Sequence, residues 1–555
     1  MRGVVPFWRR GMLAACLWLA AALCHAGVNY YVDPATGDDA NAGTNPKAPL
    51  RTLSRAETLP LQAGDHLLLA AGQTFAGQLR FEGLTGSDTE PIVISSYPAA
   101  GNGGDAMARI DAKGRVAGVL LKNCSHITLA NLGITGNGGS PDPAPAPSGK
   151  AAMRCGVLVQ ADDPGVHAGF SLSNLVVENV FFEEPGFRRN PEEVRSANGT
   201  QNYGWGIRFI NTAPTAVMQD ITIRDCRIAN VSHTGLKLTA PSNGLRNVTV
   251  QGLRIANTGG PGVQMSGVCG GHFSQLDVNH SGSTNDTRNW GRGSGLWTWG
   301  SSDVVIEKSR FQNANGPGDS AGVHIDFNCR NVIVQYNFSA HNAGGFCEIL
   351  GNNYNCAYRY NVSVDDGYRT KGKDGAFQEG KTFWLSGYTG DKSPRQGPFN
   401  TYFYNNTIYV SPDIVAKIAV TPTARGVLIA NNIFYFAGSS VLVPGDQNRP
   451  DASRPDSIPG VVFEHNLFLR PETWPAAAPV QDQSPILGDP EFKKGGGLTL
   501  EDYVPANANL IRDRGITIPK IPNDQIGLTV GINPGRDILG HAIQGPPDVG
   551  AIELP

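Results

Sequence analysis

The chain has 555 residues, too many for one ordinary compact core, which leaves either several domains or an elongated repeat architecture. Gly (69) and Pro (38) are abundant and charged residues make up only 17%, a composition of many short strands and turns that excludes a helical bundle. The formal charge is −3 and no basic run follows the first ten residues, which argues against nucleic acid or an anionic membrane surface as partner.

Residues 1–26 read as a cleaved export signal. Arg2, Arg9 and Arg10 precede an apolar run from Gly11 to Leu23, and Cys24, His25 and Ala26 close it. The run is too short to span a bilayer, and no second candidate span occurs. The expected location is therefore periplasmic or extracellular. Seven Cys remain after the leader (124, 155, 226, 269, 329, 347 and 356) and none has the Cys-x-x-Cys spacing of a zinc site. Most read as small buried strand residues, with Cys347–Cys356 and Cys124–Cys155 as candidate bridges in an oxidising compartment.

Residues 27–110 give a first strand near Tyr30, a Gly/Asn/Asp loop, a short helix over 52–59 and the first coils; the helix would cap an open end of strand edges. Over 111–470, short runs of alternating apolar residues recur, beginning at Ile127, Leu175, Ile221, Val248, Val304, Val332, Val427 and Val461. Neighbouring runs stand about two dozen residues apart, the mark of a β-solenoid. Asn337, Asn361, Asn406, Asn432 and Asn466 occupy one place in successive coils and are expected to stack and bond along the axis. Residues 138–150, 183–202 and 365–400 are polar excursions that would form groove walls. Residues 471–555 form a closing segment. The segments at 28–65 and 537–553 resemble the entry and exit segments of secreted right-handed parallel β-helix proteins. That resemblance implies an all-β, single-stranded right-handed parallel β-helix with an N-terminal cap and long loops.

Five coils carry a strand introduced by Gly: Gly235, Gly262, Gly295, Gly322 and Gly344. Side chains alternate along a strand, so the second and fourth residues after each Gly share one face. That face collects Lys237 and Thr239, Gln264 and Ser266, Trp297 and Trp299, His324 and Asp326, then Phe346 and Glu348. The residues between them are mainly Leu, Val, Ile and Met, as a solenoid interior requires. The outward stripe suits a carbohydrate: aromatic rings stack on sugars while Lys237, Gln264 and a nearby Arg359 read hydroxyls. Anchoring the fifth coil on Gly344 rather than Gly345 keeps Glu348 out of the core, where an unpaired carboxylate would be costly. In that register Asp326 and Glu348 are stacked neighbours, roughly 5 Å apart at the strand spacing, a separation that favours retaining glycoside hydrolysis.

The segment from Val323 to Phe327, followed by Phe346 to Ile349, resembles the catalytic segment of the β-helical β-xylosidase family of glycoside hydrolases. The resemblance implies Asp326 as nucleophile and Glu348 as acid/base, with His324 beside them; Phe327 stands where that family has Trp. It implies no cofactor and a poly- or oligosaccharide substrate. The alternative chemistry is β-elimination on a uronic-acid polymer, with Lys237, Arg369 or Lys371 as base and Ca²⁺ held by Asp319, Asp326, Asp365 or Asp366. A non-catalytic solenoid that binds glycan or protein is the third reading.

Overall fold

The computed structural model describes residues 27–99, 106–137, 154–181, 204–282, 292–445 and 458–555. The leader and the excursions expected at 138–150 and 183–202 lie outside these residues.

Every pairing between named strands is parallel, and each coil pairs with the next. One sheet of twelve strands runs in chain order from Leu79–Glu82 to Ser440–Leu442. The other two faces of the coil join as one sheet of 26 strands. Alternation does the sorting: Leu236 and Leu238 are buried inside while Lys237 and Thr239 face out, and Val263 and Met265 repeat the pattern on the next coil. The stacked interior of Val, Ile, Leu and Phe is continuous from Val32 to Val480, and its removal from water is the main stabilising term.

The corners are held by side chains. The five Asn residues form a single chain of hydrogen bonds: Asn337 donates to the Asn361 carbonyl oxygen at 3.1 Å, Asn361 to Asn406 at 2.9 Å, Asn406 to Asn432 at 2.9 Å and Asn432 to Asn466 at 2.9 Å. Asp482 ends it, accepting from Asn466 at 2.8 Å. The ladder matches the sequence pattern residue for residue.

Four expectations are corrected. The helix covers only Leu53–Ala56, capped by the Thr52 hydroxyl on the Arg55 amide; Pro60 follows, and Leu59 and Leu61 are drawn into the core. All seven Cys among the described residues are free, so neither Cys347–Cys356 nor Cys124–Cys155 is a bridge. Phe346 faces inward, with its ring 5.4 Å from Tyr358. Arg359 lies on the other sheet, where it donates to Gln335 at 2.7 Å, Tyr404 at 2.8 Å and the carbonyls of Gly531 and Ile532. It fastens the closing segment, which runs back along the flank of the coil, and reads no ligand. The far end of the core is plugged by Trp474 against Phe434, Phe463 and Phe468.

Candidate active site

The twelve-stranded sheet builds the site. Lys237, Gln264, Trp297 and His324 are paired neighbours on four successive strands. Ile325 pairs with Ile349, so Glu348 stands level with His324, and Asp326 stands one step further along, level with Leu350. Asp326 and Glu348 are therefore offset by two residues rather than stacked. The corner takes up the difference: Gly344 and Gly345 both belong to it. A Cβ on Gly344 would sit 1.8 Å from the Asp319 carbonyl oxygen, and Gly345 has φ +139, a backbone state open to Gly. Phe346 turns inward at this bend, while Glu348 still faces out.

A cavity of about 480 Å³ opens on this face. Its lining includes Lys237, Gln264, Trp297, Trp299, His324 and Asp326 from the sequence stripe, and Arg292, Asp319, Gln378 and Tyr388 besides. Glu348 is not part of the lining. It lies beneath, 3% exposed, with one oxygen 3.3 Å from His324 Nε2. The other acids on the cavity wall are Asp319 and, at its exposed edge, Asp391, which accepts from the Tyr388 hydroxyl at 3.1 Å.

Asp319 sits on the turn that leads into Val323–Ile325. Asp319 and Ser320 both have left-handed backbone (φ +42 and +63), a strained pair that persists only under outside restraint. The restraint comes from the 365–400 excursion: Gln378 accepts from the Asp319 amide at 2.5 Å, and Arg369 donates to the Asp319 carbonyl at 3.0 Å. Arg292 Nη1 lies 3.1 Å from both carboxylate oxygens. Burial is the largest influence and would raise the Asp319 carboxyl, but the charge and hydrogen bonds of Arg292, with the Arg369 charge and His324 beside it, together hold the group below its ordinary value.

Asp326 has no such cation in contact. Burial pushes it up to about 7, the Asp319 charge adds to the rise, and hydrogen bonds from the Phe327 amide (2.8 Å) and Trp297 Nε1 (2.7 Å) oppose it. At neutral pH the inner wall of the cavity thus presents Asp319 ionised and Asp326 holding its proton about half the time. Below them, burial keeps His324 neutral, lowered to about 4, and raises Glu348 well above the ordinary carboxylate range. Burial also lowers Lys381 to about 7; its nitrogen lies 3.6 Å from the centre of the Trp384 ring.

Trp297 stacks against His324 at 6.2 Å. Trp299 is 44% exposed and leads an edge-to-face row through Phe327 to Tyr388. The rim is therefore aromatic and the floor polar. Asp365 and Asp366, weighed as Ca²⁺ ligands, hold turns instead, through Ser411 and through Asn342 and Ser363. Among the described residues no group of three or more His, Cys, Asp or Glu could hold a metal ion.

The family model described as "Right handed beta helix region" matches residues 205–408, the part of the chain that carries this cavity. The chain is a right-handed parallel β-helix. It is 24% identical over 631 aligned positions to a lacto-N-biosidase of Bifidobacterium longum subsp. longum, covering 96% of this chain but only 37% of that protein; it spans little more than a third of that relative's length. Among solved structures, the GH136 lacto-N-biosidase from Eubacterium ramulus superposes with a TM-score of 0.51 at 22% identity in its selenomethionine form, covering 75% of this chain and 67% of that one. The native form of that enzyme gives the same TM-score at 21% identity.

Asp319 and Arg292 were the residues hardest to see in the sequence. Arg292 follows no strand pattern. Asp319 sits in a Gly-Pro-Gly-Asp-Ser turn, where its sequence context suggests no more than an oxygen donor. The signal that could have raised it is position: it stands seven residues before Asp326, at the mouth of the same strand.

Proposed function

We propose that the protein is an exported glycoside hydrolase that cleaves an oligosaccharide, with Asp319 and Asp326 as its pair of carboxyls. The observation that carries this reading is a cavity with two buried acids on its wall, Asp319 beside Arg292 and Asp326 without a cation in contact, whose proton affinities are pushed in opposite directions. That division lets one carboxyl attack or activate while the other donates a proton to the leaving oxygen. Trp297 steadies Asp326, and Arg292 balances the charge of Asp319. The proposed course is a double displacement with retention, which the azide products below test. Similarity to proteins named lacto-N-biosidase supports the substrate class. Export is supported by the leader at 1–26, and N-terminal sequencing of the protein recovered outside the cytoplasm tests it.

Glu348 takes a supporting role in this proposal. It is screened from the cavity by His324 and acts on the reacting carboxyls through that ring.

The test is hydrolysis of a glycan panel that includes lacto-N-biosides, with new reducing ends as the readout. Asp319→Asn and Asp326→Asn should each lower kcat about a thousandfold. Added azide should rescue each variant with a glycosyl azide of a different anomeric form, which assigns the two roles. Products bearing a new C=C bond, or unchanged rates in both variants, would overturn the proposal.

A further inference from the structure

The same sheet continues past the cavity to a second cluster. On the strand Trp205–Asn211, Ile207 and Phe209 face the core and Arg208 faces out, level with Lys237 on the next coil. The Arg208 guanidinium carbon lies 3.9 Å from the centre of the Trp205 ring, and Lys237 Nζ lies 6.0 Å from the same ring. His233 covers part of that indole at 5.0 Å and bonds to the Thr234 hydroxyl at 2.7 Å. Arg208 is only 9% exposed. Its Nε and the Trp205 Nε1 are buried with no acceptor among the described residues. Among those residues the one ionisable group acting on Arg208 is Cys155, and no carboxylate faces it.

A buried guanidinium with no counter-charge among the described residues is costly, and stacking on one indole offsets only part of that cost. Two unsatisfied donors here, beside a second cation, leave a place that a neutral hydroxyl fills poorly and an anion fills well. Lys237 belongs to this cluster and also lines the cavity. It stands three coils from His324, roughly 14 Å at the parallel-strand spacing.

We propose that Arg208, Trp205 and Lys237 form a subsite for a negatively charged substituent, a carboxylate or a sulfate ester, carried by the glycan some 14 Å from the bond that is cleaved. The subsite rests on the reading of the cavity as a glycan site. It makes the protein selective for acidic oligosaccharides long enough to reach from the carboxyl pair to Lys237.

The test is binding, so that it stands apart from turnover. The full protein carrying Asp326→Asn is titrated calorimetrically with matched oligosaccharides: neutral, uronate-bearing and sulfated. The acidic forms should bind about tenfold tighter or better, with an affinity that falls as salt rises. Arg208→Met, which keeps the contact with Trp205, should remove that preference and leave neutral affinity within twofold. Lys237→Met, on the more open side, should weaken it in the same sense if the Arg208 variant fails to fold. Loss of preference for the uronate alone or the sulfate alone assigns the anion. Equal affinity for neutral and acidic glycans, or equal losses for both in the variants, would overturn the proposal. A protein that prefers acidic glycans yet cleaves none would keep the subsite and sink hydrolysis.

Discussion

Arg292 holds one nitrogen 3.1 Å from both carboxylate oxygens of Asp319, and this contact sets the charge state of the cavity wall. That neighbour is the largest influence keeping Asp319 ionised, against the effect of burial. Removing the guanidinium should let the carboxyl rise. In Arg292→Met the acidic limb of the kcat/KM profile should move to higher pH. A pH–rate series on wild type and variant checks it; an unmoved limb would mean that Asp319 does not control activity.

Asp326 makes the opposite prediction for stability. Its folded value, about 7, lies above its unfolded value of 3.8. Between those limits the folded state binds more protons than the unfolded one, so stability falls as pH rises. Asp326→Asn removes that penalty. The variant should match wild type near pH 4 and exceed it near pH 8 by a few kcal/mol. Denaturant melts at the two pH values measure the difference, and an equal effect at both would contradict the buried, uncompensated carboxyl described here.

The coil pattern, the Asn ladder and the outward stripe from Lys237 to Asp326 were legible in the sequence because each is local and periodic. A strand of alternating residues declares its own faces, and an Asn that repeats in every coil declares a stack. What failed was register across a corner. Two consecutive Gly at 344 and 345 gave two anchors, and the structure uses both residues in the bend, which moved Phe346 inside and set Glu348 beside His324 instead of Asp326. Asp319 and Arg292 are brought together across coils by turns with no period at all. Arg359 was expected to read a sugar hydroxyl, but besides Gln335 and Tyr404 it bonds to carbonyls some 170 positions later in the chain, a contact that no local pattern encodes.

Glu348 separates the stacked-carboxyl expectation from the cavity that is present. A catalytic acid replaced by its amide loses about a thousandfold, as proposed for Asp319. Glu348 lies behind His324 at 3.3 Å and is not part of the lining of this cavity. Glu348→Gln should therefore lower kcat only about tenfold, with KM unchanged, by altering the field at Asp326. Steady-state kinetics on both amide variants decide it: a loss equal to that of Asp319→Asn would restore Glu348 to the reacting pair.

The two Trp residues should divide KM and kcat between them. Trp299 stands 44% exposed at the rim and bonds to neither acid, so Trp299→Ala should raise KM about tenfold while kcat stays within twofold. Trp297 donates to Asp326 at 2.7 Å. Trp297→Phe keeps the ring and removes the donor, so the Asp326 value should rise further and kcat should fall about tenfold. Kinetics on both variants check the division, and the same pattern in both would refute it.

The Asn ladder carries the last prediction, one of stability without loss of chemistry. Asn406 is buried away from the cavity. Its side-chain oxygen accepts from the amide and the side chain of Asn361 at 3.1 and 2.9 Å, and its nitrogen donates to the Tyr358 carbonyl and to Asn432, both at 2.9 Å. Asn406→Ala leaves donors and an acceptor buried without partners, at about 1–3 kcal/mol each, so a loss of about 3–5 kcal/mol is expected with kcat unchanged. Asn406→Asp is the sharper test. A carboxylate still accepts from Asn361 but faces the oxygens of Tyr358 and Asn432 with no proton to donate. Burial and those oxygens raise its folded value, so the folded state binds the extra proton and stability falls as pH rises toward neutrality. The variant should lie close to wild type in acid and well below it at pH 7, a slope that a mere packing defect at this corner would not produce.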